Sequence, residues 1–168
     1  MARKQIALEV MRAEVLEALI QYRGEKLMEA TVAACALVAH ADGELAPVER
    51  AQMLQFMRAD ALLSMFPRDE VLHTFYVHAA AFATDPKGAR DAALRCIEPL
   101  AAHPRQARIV LTACLLLADA DGQVHPAERQ AVRLVREALG LGPDRGGSAD
   151  WPALPPRHLP RSTVTAAA

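Results

Sequence analysis

AHADGELAPVER, residues 39–50, is nearly written again as ADADGQVHPAER at residues 118–129. Each copy places Asp-Gly after an apolar run and Pro-x-Glu-Arg a few residues later. A glycine just past an apolar run marks a helix end, and a proline followed by Glu two residues on marks a helix start. Each stretch therefore predicts a helix stop, a short acidic turn and a new helix. The repeat extends outward at a constant offset of 79 residues. It superposes Ala34-Cys35 on Ala113-Cys114, Leu37 on Leu116, Pro47 on Pro126 and Glu49-Arg50 on Glu128-Arg129. The unit is a helix-turn-helix, at about residues 25–62 and again at 104–140, and two such units are expected to pack with pseudo-two-fold symmetry.

The rest of the chain fits an all-α fold of about seven helices. Apolar residues make up 52% of the 168 residues but aromatics only 4%, so the core must come from Ala, Leu, Val and Met, which suits close helix packing. A first amphipathic helix is predicted over residues 4–22, with Ile6, Val10, Ala13, Leu16 and Ile20 on one face. Gly24 then breaks the pattern. A second helix, about 25–41, is apolar on nearly all sides and is expected to be central. Further helices are predicted from Pro47, over about 69–83, from Asp85-Pro86 to near Ala101, over about 106–120, and from Pro126 to a stop at Gly140. Residues 1–142 form one helical domain in this reading, and the Pro- and Gly-dense stretch 143–168 is expected to be a disordered tail.

Several function classes are excluded. The formal net charge of −1, with no basic clusters, gives no support for nucleic-acid binding. Acidic residues interrupt the N-terminal helix where a signal peptide needs an apolar core, and no apolar run approaches the roughly 20 residues that span a bilayer. Cys35, Cys96 and Cys114 lack CxxC spacing and are expected to be buried, reduced thiols. His40, His73, His78, His103, His125 and His158 show no metal-ligand spacing and are expected at the surface or at helix boundaries. Phe75, Tyr76 and Phe82 are expected to make core contacts. No nucleophile elbow, phosphate loop or dinucleotide fingerprint occurs, so a non-enzymatic protein is expected.

The acidic turns carry the remaining chemistry. Asp42 ends one helix and Glu49 falls seven residues later in the first turn of the next, so both carboxylates can address one point; Asp121 and Glu128 copy that spacing. Glu44 adds a third carboxylate to the first turn, where the second has Gln123. Oxygen-only donors suit hard divalent cations such as calcium or magnesium. The G-x5-E spacing matches the second half of an EF-hand loop, but the first loop positions fall on Val38 and Leu117, which cannot ligate. The competing reading makes the turns structural: helix stops, proline starts and a Glu that favours the helix dipole, in a module acting only by protein interaction.

Taken together, KLMEATVAACALVAHADGELAPVERAQMLQFMR and ARIVLTACLLLADADGQVHPAERQAVRLVREALGL closely resemble the TerB family of tellurite-resistance proteins, over about residues 1–142. The resemblance implies an all-helical fold of pseudo-two-fold repeats with a divalent-metal site, matched here by Asp42, Glu44 and Glu49 in the first copy and Asp121 and Glu128 in the second. It implies a cytoplasmic, non-catalytic component of a bacterial stress-resistance system, peripheral to the inner face of the membrane through a TerC-like membrane protein and TerD-like calcium-binding partners. The chain departs from the family at Ala46-Pro47-Val48 and His125-Pro126-Ala127, where a serine often precedes an acidic pair, and this lowers the carboxylate count.

Overall fold

A computed structural model describes residues 22, 24–43, 47–59, 63–120 and 124–142. The predicted first helix, apart from Tyr22, and the predicted tail lie outside the described residues. Among the described residues six α-helices follow one another: α1 (24–39), α2 (Pro47–Ala59), α3 (Arg68–Thr84), α4 (Pro86–Ile97), α5 (Pro104–Ala118) and α6 (Pro126–Ala138). Short 3-10 turns occupy Leu63–Met65 and Glu98–Ala102. The described residues contain no strand, so the chain is all-α.

Prolines set the helix starts. Pro86, Pro104 and Pro126 stand in the first turns of α4, α5 and α6, and α2 begins at Pro47. A proline lacks an amide hydrogen that would have no intrahelical partner there. For the same reason α5 begins at Pro104, two residues before its predicted start. The Asp85 side chain caps α4 by accepting from the Gly88 amide at 3.0 Å. Prediction carried that helix on to Ala101, but regular α-helix ends at Ile97 and a 3-10 turn continues it, because Pro99 cannot donate to a carbonyl four residues back. At the end of α6, Gly140 takes φ +63°. Its amide donates to Glu137 O at 2.9 Å and the Leu141 amide to Arg136 O at 3.1 Å, the paired bonds of a Schellman stop.

Helix α1 is the centre of the core: no residue from 30 to 39 exceeds 3% exposure. Its single polar side chain in that span, Thr31, donates its hydroxyl to Leu27 O at 2.7 Å, which satisfies the group without a cavity. Helix α5 contributes Ala107, Val110, Ala113, Cys114 and Leu117, all at 1% exposure or less. Cys35 of α1 and Cys114 of α5 are neighbours in this core. These two positions are equivalent under the 79-residue offset. Around this centre α2 packs on α5, α6 on α5 and α4, and α3 on α4.

Three expectations change. Gly24 is itself helical and buried, and a Cβ there would meet Met65 Sδ at 3.2 Å and Phe66 Cζ at 3.3 Å. The glycine serves close approach of α1 to the turn before α3 rather than ending a helix. Of the aromatic trio Phe75 is buried in the core and Phe82 packs against it partly buried, whereas Tyr76 is half exposed, accepting a hydrogen bond from Arg50 Nη1 at 2.9 Å. Cys96 is half-buried, unlike Cys35 and Cys114.

Candidate functional site

The first acidic turn opens where α1 runs out of apolar residues. The His40 amide still donates to Ala36 O and the Ala41 amide to Val38 O, each at 3.1 Å. Asp42 then stands exposed, followed by Gly43 at φ +130°. A side chain in that left-handed region would be strained, so the glycine is what lets the backbone leave the helical conformation directly after the carboxylate. Glu44 lies outside the described residues. Glu49 occupies the third position of α2, and its side chain is likewise outside the description.

The second turn opens in the same way, with the Asp119 amide donating to Leu115 O at 3.1 Å and the Ala120 amide to Leu117 O at 3.0 Å. Asp121 lies outside the described residues. Glu128 is well placed and only 2% exposed. Its Oε2 accepts from the His125 backbone amide at 2.7 Å, the N3-to-N-cap half of a capping box. The carboxylate also lies at the positive end of the α6 dipole. Of the five predicted ligands, then, Asp42 is exposed and available, while Glu128 already holds a helix start with one oxygen. Among the described residues no group of three or more His, Cys, Asp or Glu side chains is gathered to hold a metal ion. A complete oxygen shell must therefore draw on Glu44, Asp121 or the Glu49 side chain.

Sequence reasoning missed two cavities. One, of about 550 Å³, is lined by the end of α1 (Leu37, His40, Ala41), by Phe82 of α3, by Pro86, Lys87 and Arg90 of α4, and by Ala127, Gln130, Ala131 and Leu134 of α6. His40, at the helix boundary where it was expected, is half-buried here: its ring stacks on Phe82 at 5.2 Å and 14°, and Nδ1–H donates to Ala36 O at 2.9 Å. The other cavity, of about 730 Å³, has Tyr22, Lys26 and Glu29 on one side and Arg95, Cys96, Leu100 and His103 on the other. Lys26 pairs with Glu29 at 3.6 Å. Burial, reinforced by the Glu29 carboxylate, pushes the Cys96 thiol up from its ordinary value against the opposing pull of Lys26 and Arg95. The neighbouring Cys35 thiol, then burial, pushes the Cys114 thiol well up. Burial also lowers His78, against the opposing effect of Glu29. These thiols stay protonated at neutral pH, which disfavours nucleophilic chemistry.

No helix among the described residues is long and apolar enough to cross a membrane. A family model described as "Tellurite resistance protein TerB" matches residues 28–150, a span that includes both acidic turns. A protein of Alcaligenes sp, "Tellurium resistance protein TerB", is 29% identical over 100 residues, covering 60% of this chain and 82% of that relative. No solved structure matches.

Proposed function

The chain belongs to the TerB family of tellurite-resistance proteins, and from that premise we propose that it acts without catalysis, by presenting its acidic turns to a divalent cation. The observation that carries this reading is Asp42: an exposed carboxylate directly after a buried helix, followed by a glycine at positive φ. Asp42, Glu44 and Glu49 form the stronger half of the site. Calcium or magnesium is the fitting class of ion, because the donors are oxygens. Asp121 and Glu128 form the second half, with Glu128 already holding the start of α6. When bound, the cation neutralises the turn and fixes the angle between α1 and α2. The face so formed is the docking surface for partners, of which TerC-like membrane proteins and TerD-like calcium-binding proteins are the candidates. Such docking holds a cytoplasmic protein at the inner face of the membrane.

The bond from the His125 amide to Glu128 favours a second reading for the second turn, in which its glutamate is a helix cap alone. Calorimetric titration of calcium, magnesium, manganese and zinc into the wild type and the Asp42→Asn/Asp121→Asn variant separates the two. Binding by the wild type that the variant loses supports the cation site. Equal binding by both, or none by either, leaves the turns as structural caps.

A further inference from the structure

We infer that the 550 Å³ cavity between α1, α3, α4 and α6 is a binding site for a small organic anion, a carboxylate-type headgroup carried on an apolar body. This goes beyond the cation site and uses none of its carboxylates. The lining is segregated by element. Leu37 of α1, Phe82 of α3 and Leu134 of α6 supply apolar wall, whereas Lys87 and Arg90 come from the first turns of α4. Among the described residues no carboxylate lines the cavity. Arg90 keeps a long contact to Asp91, Nε to Oδ1 at 3.8 Å, with both side chains about half exposed, and such a contact competes weakly for the cation. The Asp85 carboxylate is engaged on the Gly88 amide.

His40 completes the polar edge. Because Nδ1–H is directed to the Ala36 carbonyl, Nε2 is the ring's remaining polar atom, an acceptor when neutral and a donor when protonated. A cavity of this volume, with apolar walls and several convergent polar groups, has the proportions of a small-molecule site. The size matters: a bare oxyanion would leave most of it empty. The feature also belongs to one copy of the repeat, since the 79-residue offset places Asp119 where the first copy has His40. The duplicated turn thus accounts for the acidic chemistry and leaves this cationic, apolar-walled cavity as a separate function.

Amide-shift mapping by nitrogen–proton correlation NMR on the full chain, in EDTA, tests the inference with decanoate kept below its micellar concentration. Saturable shifts centred on Leu37, His40, Phe82 and Leu134 are expected. Octan-1-ol, which lacks the charge, and inorganic phosphate, which lacks the body, should each bind at least tenfold more weakly. Lys87→Gln/Arg90→Gln alters exposed side chains only and should weaken decanoate about tenfold, and Ala127→Trp should fill the mouth of the cavity and remove binding. The inference is overturned by no decanoate binding, by shifts centred on the Tyr22 and Cys96 cavity, by octanol or phosphate matching decanoate, or by Lys87→Gln/Arg90→Gln binding within twofold of wild type.

Discussion

Replacing Glu128 by alanine should destabilise the fold far more than replacing Asp42 by asparagine, although the two residues belong to the same repeated motif. Glu128 is 2% exposed and accepts from the His125 amide at 2.7 Å. Hydrogen bonds to a charged partner contribute about 1.5–3 kcal/mol net. The lower end applies here, because His125 is exposed and water can take over its amide. The α6 dipole adds about 0.5 kcal/mol, and the lost buried methylene costs about 0.8 kcal/mol. Glu128→Ala should therefore lose about 2–3 kcal/mol. Glu128→Gln, which keeps the stem and a neutral acceptor, should lose about 1 kcal/mol. Asp42 is exposed, so Asp42→Asn should stay within about 0.5 kcal/mol of wild type. Urea denaturation followed by circular dichroism reads the difference. With a slope of about 2 kcal/mol per molar urea, the alanine variant's midpoint should fall by about 1 M. A loss below about 0.5 kcal/mol for Glu128→Ala would refute the capping role and return that carboxylate to the list of available ligands.

Gly140→Ala should cost about 1 kcal/mol in the same assay, because φ is +63° while the added Cβ meets Ala101 only at an ordinary 3.5 Å; an unchanged midpoint would contradict the Schellman stop. A thiol reagent such as dithiobis-nitrobenzoate should modify Cys96 alone in the native protein, faster as pH rises because burial and Glu29 hold its thiol up. Cys35 and Cys114 should react only on unfolding. His78 has a lowered folded-state pKa, so the unfolded chain binds the proton more readily; its contribution is intact above the ordinary histidine value and is lost as pH falls towards the folded value. His78→Phe should flatten the decline in stability on the acid side of about pH 6.5, the ordinary histidine value, and an unaltered slope would exclude His78 as its source.

Helix starts were legible at Pro47, Pro86 and Pro126, which mark them by the same covalent constraint, whereas Pro104 marked a boundary but the start was expected two residues later. The all-apolar runs around Cys35 and Cys114 likewise identified the two buried helices before any contact was known. Gly24 misled, since the intrinsic helix penalty of glycine, about 1 kcal/mol, is small beside the packing of Phe66 against a backbone without a Cβ. Tyr76 was grouped with Phe75 and Phe82 as a core contact because all three are aromatic, although adjacent helix positions such as 75 and 76 point to different sides. The two cavities were beyond reach for a different reason. His40, Phe82, Arg90 and Leu134 converge from four helices spread along the chain, and no local pattern encodes that meeting. Glu128 was read correctly as a residue of the first helical turn. Only burial and a 2.7 Å bond weight it towards the cap.

The central claim is that the first acidic turn, led by Asp42, holds a divalent cation. Thermal denaturation with and without calcium, in wild type, Asp42→Asn and Glu128→Gln, tests it most directly. A cation present at a hundred times its dissociation constant should stabilise the wild type by about 2.7 kcal/mol. The account predicts that Asp42→Asn loses this gain while Glu128→Gln, though less stable at the outset, retains it. A calcium-induced gain that survives Asp42→Asn unchanged, or no gain in the wild type with calcium or magnesium, would contradict it.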